Sequence, residues 1–286
     1  MTTFNLMALR AYILNCQRSR DRKIKVENMI KQNFGEKFFN QNINEIFFKG
    51  SDGENDLIYE PKQNNITTIY DKNDRDFYIL HTDAKYDSVK FGTRKYKRKM
   101  TKGEFGCLMS HLRAINDIVK NNYPYGIIFE DDFQILSENF YKDLDNALNN
   151  APKDFDVLKI DTRSSSVIRK KNKNNFTFLS SLLCLFDNKN NNEFWQNMKY
   201  FFHLTCCSGY IVSLKGAKKI IDFVQKNILP RECTADVLLW MLLPKKYGFK
   251  NFYLINKPLI VPDLKTESVI NSIGEIRDYD IKKLKN

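Results

Sequence analysis

The run Gly126-Ile127-Ile128-Phe129-Glu130-Asp131-Asp132-Phe133 sets three carboxylates directly after three apolar residues. Like charges at contact distance repel, and removing them from water is costly unless something positive compensates. Either the run sits in open water or a cation sits on it. Side chains along a strand alternate faces, so Glu130 and Asp132 point one way and Asp131 the other until the chain bends. Oxygen-only ligands suit a hard ion, Mg²⁺ or Mn²⁺, with positions left for phosphate oxygens. Such an ion bridges a diphosphate and neutralises leaving-group charge. The alternative is that Asp131 and Asp132 precede and cap a helix beginning near Ser137, where acidic residues are favoured.

Other residue types capable of chemistry lie elsewhere in the chain. Arg18 and Arg22 follow an apolar segment. A guanidinium there either pairs with a diphosphate, stacks on a base, or is a surface helix charge. Asn15, just ahead of them, is a candidate contact for a nucleotide base. Ser110 and His111 share a helical pattern with Glu104, which lies two turns from His111 on the same face. A lone helix histidine is either structural or turned toward a ligand.

These residues need elements to position them. Ala11–Leu14 reads as a short strand, followed by a helix from Ser19 to about Gln32. Ile43–Phe48 reads as a second strand, closed by Lys49-Gly50-Ser51-Asp52-Gly53. Residues 54–99 are polar and irregular, and are expected to be a long loop or insertion. Thr101-Lys102-Gly103-Glu104 has the form of a capping box. The helix after it carries Phe105, Leu108, Leu112, Ile115 and Val119 at steps of three and four. The acidic run ends a further strand, and a helix is expected from Ser137 to about Asn149. Phe155–Ile160 is another strand, ending at Asp161. Strands at 208–213 and 252–255, with helices at 214–226 and 235–243, complete the pattern. Alternation of this kind predicts an α/β fold with a mostly parallel central sheet flanked by helices. Ligands then bind at the carboxyl ends of the strands, where both the acidic run and Asp161 fall.

The 286-residue chain is long enough for a sizeable core. With 42% apolar and 28% charged residues it is globular rather than disordered. The formal net charge of +12 favours anionic partners: a nucleic acid, a membrane surface or a phosphorylated ligand. Part of that charge is clustered at 94–99, at 169–171 and in the tail. No nucleic-acid motif accompanies it, so nucleic acid is not an expected partner. The six cysteines form no Cys-x-x-Cys pair, and are read as small buried hydrophobes in a reducing compartment. No basic leader precedes the apolar N-terminal residues, and no run approaches the ~18 apolar residues of a membrane span. The chain is therefore expected to be cytoplasmic, with peripheral contact at the inner membrane face.

Residues 101–133, T-K-G-E-F-G-C-L-M-S-H-L-R-A-I-N-D-I-V-K-N-N-Y-P-Y-G-I-I-F-E-D-D-F, resemble the signature of glycosyltransferase family 25. That family includes lipooligosaccharide and collagen galactosyltransferases. Its mark is a G-E-x-G-C-x-x-S-H helix followed by an apolar strand ending E-D-D. Three further segments resemble it in the same order: Y-I-L-N-C-Q-R-S-R-D-R at 12–22, G-S-D-G at 50–53, and G-Y-I-V-S-L-K-G-A-K-K-I-I at 209–221. Cys16, the Cys206-Cys207-Ser208 run and the longer 54–99 segment depart from the pattern.

The resemblance implies one domain over 1–286, with a GT-A-like nucleotide-diphospho-sugar transferase fold and a basic tail at 270–286. It implies a metal-dependent, inverting transfer of a hexose, galactose from UDP-galactose, to a glycan such as a lipooligosaccharide core. Transfer to a protein hydroxyl of the hydroxylysine type is the alternative. Asp132 is then expected to ligate Mn²⁺ or Mg²⁺ with Asp131 supporting it, and Glu130 belongs to the same motif. Asn15, Arg18, Arg22, Ser110 and His111 are expected on the donor side. An inverting transfer needs a general base across the sugar from the metal. Asp236 is the candidate, with an N-terminal helix acid or an acceptor contact as its other readings. Asp161 and His203 are the reserves, and His203 alternatively completes the metal shell.

Overall fold

The computed structural model describes residues 9–40, 47–83, 99–161, 195–197, 206–247, 251–255 and 258–263. The chain opens with β1 (Leu9–Asn15), α1 (Arg20–Asn40) and β2 (Phe47–Lys49). A meander follows: β3 (Leu57–Pro61), β4 (Ile66–Asp71) and β5 (Asp74–Thr82). Next come α2 (Lys102–Lys120), β6 (Tyr125–Glu130), β7 (Phe133–Ile135), α3 (Phe140–Asn149) and β8 (Val157–Lys159). The later elements are β9 (Trp195–Asn197), β10 (Gly209–Ser213), α4 (Leu214–Lys226) and β11 (Ile228–Leu229). Then α5 (Ala235–Val237) runs through a π-helical turn (Leu238–Leu242) into α6 (Leu243–Tyr247), before β12 (Phe252–Ile255) and β13 (Ile260–Pro262).

The central sheet has seven strands in the order β2-β1-β6-β10-β8-β12-β9. Strands β1, β6, β10, β8 and β12 are buried on both faces, and their side chains divide with period two. Tyr12, Leu14, Ile128, Tyr210 and Val212 join one apolar cluster, with Leu108, Leu112 and Ile115 of α2 and Ile220 and Val224 of α4. Ala11, Ile13, Ile127, Phe129 and Ile211 join the other, with Val26 and Ile30 of α1 and Phe140 and Leu144 of α3. This is the layered α/β sandwich expected from the sequence. The expectation of a mostly parallel sheet needs correction. Strand β1 runs parallel to β2 and β6, and β8 parallel to β12. Strand β10 runs antiparallel to both β6 and β8, and β9 antiparallel to β12. The sheet is mixed because strand–helix alternation carries no direction for a strand entered from the opposite end.

A second correction concerns 54–99. Residues 57–82 are no irregular loop but an antiparallel meander, completed as a four-stranded sheet by β11. Its strand-forming residues, such as Ile66-Thr67-Thr68-Ile69-Tyr70, are separated by short polar turns that blur the pattern. Asn64 and Asn65 adopt φ of 61° and 57°, a left-handed conformation that asparagine tolerates better than most residues. Leu57, Ile69, Phe77 and Ile79 are buried in the cluster built around α2. Residues 84–98, including most of the basic run, lie outside the described residues, as do 169–171 and 270–286.

Helix α2 starts as its sequence predicts. The Glu104 amide donates to Thr101 Oγ1 at 3.2 Å, and the Thr101 amide donates to Glu104 Oε2 at 2.8 Å. Such a box contributes about 0.5–2 kcal/mol and fixes the helix's first turn. Helix α3 starts at Phe140, later than expected, because Phe133–Ile135 pair with β13 instead. Asp131 and Asp132 are thereby separated from α3 by a strand, which removes the reading of them as its cap.

Candidate active site

The carboxyl ends of parallel strands β1, β2 and β6 open into one cleft, lined by Arg18, Arg22, Ser51, Cys107, His111 and Glu130-Asp131-Asp132 among others. Register places Leu14 of β1 opposite Glu130 of β6, so Asn15 comes beside Asp131. The antiparallel β10 begins at this same end: Gly209 lies opposite Phe129, and the Glu130 amide donates to Ser208 O at 3.2 Å.

Each member of the acidic run has its own surroundings. Asp131 accepts from Asn15 Nδ2 at 2.7 Å and from Arg22 NH1 at 2.8 Å, one on each carboxylate oxygen. Asn15 Nδ2 also donates to Ser19 O at 3.1 Å. This clamp fastens the ends of β1 and β6 to the start of α1. Burial pushes the Asp131 carboxyl above its ordinary range, outweighing Arg22 and Asn15. Asp132 lies 3.7 Å from Arg22 NH1, with its side chain 21% exposed at the cleft. Glu130 faces α2, where its Oε1 lies 3.2 Å from His111 Nε2 and 3.6 Å from Cys107 Sγ. Burial opposes its charge, but the His111 and Cys107 hydrogen bonds and nearby Lys159 bring its carboxyl below the ordinary value. Burial and the charges of Glu130, Asp236 and Asp132 push the Cys107 thiol well up.

Ser110 and the glycines form a second unit. The Ser110 hydroxyl donates to Gly106 O at 2.7 Å and accepts from the Ser51 amide at 2.8 Å. Ser51 in turn donates to Asp71 Oδ2 at 2.6 Å, and Arg113 NH1 reaches Asp71 at 3.0 Å. A Cβ on Gly53 would stand 1.7 Å from Lys102 O, and one on Gly106 2.6 Å from Ser51 O. The Gly50–Gly53 turn and the first turn of α2 therefore interlock backbone to backbone. Both glycine motifs of the sequence serve one contact.

Of the two arginines, Arg22 is 12% exposed and committed to Asp131. Arg18 is 42% exposed, 3.7 Å from Asp52, and stands at the rim. His111 is buried, with Nδ1 2.9 Å from the Tyr210 hydroxyl. Asp161 is fully buried beside Lys159, which is also fully buried. Asp161 accepts from the Gly209 amide at 3.2 Å and from Cys206 Sγ at 3.3 Å. Lys159 Nζ donates to Cys206 O at 2.7 Å and lies 4.5 Å from the Trp240 ring centre. Burial disfavours the charged lysine, but the Asp161 carboxylate more than offsets this and holds the Lys159 pKa above its ordinary value.

Asp236 starts α5, where it accepts from the Thr234 hydroxyl and from the Val237 amide at 3.0 Å. Its short helix packs against α2, and its charge helps to raise the Cys107, Cys207 and Cys233 thiols. His203 lies outside the described residues. The cleft thus gathers Arg18, Arg22, Ser110, His111 and Glu130-Asp131-Asp132, while Asn15 stands behind Asp131 and Asp236 is not among the lining residues. Sequence reasoning gave no role to Cys107, Tyr210 or Lys159. The signal for Cys107 was its place four residues before His111, which puts both on one helix face.

A family model described as glycosyltransferase family 25 (LPS biosynthesis protein) matches residues 8–237. Two proteins of Haemophilus influenzae are similar. One, named "Lipooligosaccharide biosynthesis protein lex-1", is 30% identical over 192 residues, which is 61% of this chain and 55% of that protein. The other, named "Putative glycosyltransferase", is 28% identical over 147 residues, or 51% of this chain and 44% of that protein. The chain spans about half the length of the curated relatives it matches.

Proposed function

The chain belongs to glycosyltransferase family 25, and from that premise we propose that it transfers a hexose from a nucleotide-diphosphate sugar to a glycan hydroxyl. The donor is UDP-galactose or a close relative, and the acceptor a lipooligosaccharide-type core. The observation that carries this reading is the cleft itself. An arginine rim and a carboxylate run converge at the carboxyl ends of parallel strands, against a backbone-packed glycine turn. The net positive charge suits a phosphorylated acceptor or an anionic membrane surface. No helix among the described residues is long and apolar enough to cross a membrane.

Arg18 supplies positive charge for the diphosphate at the rim. Arg22 and Asn15 act at one remove, by fixing Asp131 and hence the bend that turns Asp132 into the cleft. The residues fit a hard divalent cation: with Asp131 already clamped, Asp132 is the carboxylate that would hold it. A single carboxylate with water and phosphate oxygens is a set that Mg²⁺ or Mn²⁺ accepts. When bound, the ion neutralises charge on the departing diphosphate. Asp236 takes the proton from the acceptor hydroxyl as that oxygen attacks C1 in line, which inverts the anomeric centre. Asp161, fully buried in its pair with Lys159, does not line the cleft and serves the fold instead.

UDP-sugar binding, measured by calorimetry with and without Mn²⁺, tests the proposal. Metal-dependent binding of at least one UDP-sugar is expected. If none binds or is hydrolysed with any divalent ion, the proposal fails.

A further inference from the structure

Cys107 and His111 stand one helical turn apart on α2 and face the end of β6. Cys107 Sγ, His111 Nε2 and a Glu130 carboxylate oxygen all lie within 4.8 Å of one another. Two of the three separations are 3.6 Å (Cys107–Glu130) and 3.2 Å (His111–Glu130). A tetrahedral ion with bonds of about 2.0–2.3 Å holds its ligand atoms roughly 3.3–3.7 Å apart. Both separations from Glu130 are thus close to those between corners of one coordination shell, and the third is within 4.8 Å.

A second observation concerns the imidazole. Its Nδ1 lies 2.9 Å from the Tyr210 hydroxyl, and its ring stacks on Tyr210 with centroids 5.7 Å apart. That partner fixes the ring and leaves Nε2 as the nitrogen presented to Glu130. Histidines that bind metals are held in this manner by a hydrogen bond at the far nitrogen. The Glu130 side chain is 25% exposed and lines the cleft, so an ion has a route in and an open fourth position.

We propose that Cys107, His111 and Glu130 bind a borderline transition-metal ion of the zinc class, with its fourth position open to the cleft. Sulfur and imidazole ligands favour such an ion over Mg²⁺ or Mn²⁺, which sets this site apart from the oxygen position at Asp132. Binding forms bonds to Sγ, Nε2 and a Glu130 oxygen, and releases the thiol proton to solvent. The Nε2 proton, shared with Glu130 in the metal-free site, leaves that nitrogen, and the bound imidazole carries its one proton on Nδ1, donated to the Tyr210 hydroxyl oxygen. Reading the cysteines for Cys-x-x-Cys pairs misses this arrangement because the partner of Cys107 is a histidine one turn on. The site stands on these ligands alone and does not require the sugar-transfer reading.

The test titrates the full chain with Co²⁺ and follows absorption. A thiolate-to-cobalt band in the near ultraviolet, saturating at one ion per chain and abolished by Zn²⁺, is expected. Cys107→Ser should lose the band, Glu130→Gln should weaken Co²⁺ binding at least tenfold, and Asp132→Asn should leave the band in place. In the unaltered chain, Zn²⁺ should protect Cys107 from iodoacetamide, read by peptide mass. The proposal is overturned if no band forms, if the band survives Cys107→Ser, or if Zn²⁺ leaves Cys107 alkylation unchanged. UDP-sugar binding is measured on the same samples. Its absence beside an intact band would sink the transfer reading and leave this site standing.

Discussion

Replacing Asp161 by Asn removes one negative charge and almost no volume, so its effect isolates the buried pair with Lys159. In Asp161→Asn the lysine keeps Cys206 O at 2.7 Å and the Trp240 ring at 4.5 Å, but loses its counter-charge. Both side chains are fully buried, so no water makes up the loss. Breaking one side of such a pair costs about 3–5 kcal/mol. At roughly 2 °C per kcal/mol for a large domain, the melting temperature should fall by about 6–10 °C. Lys159→Met should cost a similar amount, because Asp161 then keeps only the Gly209 amide and the Cys206 thiol. The double variant should regain at least half of the summed loss, since neither buried charge is then stranded. Urea unfolding followed by circular dichroism gives all four corners of the cycle, and UDP-sugar binding on the same samples reports the cleft. A stable Asp161→Asn whose transfer drops about 100-fold or more would refute the reasoning, since that loss is the signature of a general base.

Asp132→Asn should abolish metal-dependent donor binding, and unchanged affinity by calorimetry would remove Asp132 from the metal site. Asp236→Asn should keep donor binding while transfer falls about 100-fold or more, as loss of a general base does; near-normal turnover would exclude it. Gly53→Ala puts a methyl group 1.7 Å from Lys102 O, so the loop and α2 must part. About 3 kcal/mol or more of destabilisation is expected from this backbone clash, read by urea unfolding. For Asp71, burial pushes the carboxyl up, but Ser51, Asn73 and Arg113 outweigh it and hold it below the ordinary value. Its contribution to stability is thus complete above the unfolded carboxyl pKa near 4 and is lost as pH falls through the lower folded value. Asp71→Asn should flatten the acid limb of the stability curve, and an unchanged limb would refute the assignment.

What was legible in the sequence was local. The capping box of α2 and its three-four stripe involve neighbours in the chain, and both form as read. The acidic run does end a buried strand. Contacts across the chain were not legible. Nothing near Asp131 in sequence announces that Asn15 and Arg22, more than a hundred residues earlier, occupy both its oxygens. The direction of β10 likewise depends on where the preceding segment delivers the chain, not on the residues of the strand. The meander at 57–82 escaped notice because its asparagine-rich turns are as polar as a loop, while its burial against α2 is a tertiary matter.

The antiparallel entry of β10 also bears on how this scaffold can diversify. Asp161, just past the end of β8, and Cys206, just before β10, are in contact, with Sγ 3.3 Å from the carboxylate. Between them in the chain lies β9, which pairs with β12 at the edge of the sheet, so these two residues mark where the chain departs from β8 and where it comes back to β10. Joining two touching ends with a longer or shorter tether changes stability little, by about 0.6 kcal/mol for each doubling of its length. Length can therefore vary between Asp161 and β9, or between β9 and Cys206, without moving β8 or β10, while the end of the sheet locked by backbone-packed glycines stays put.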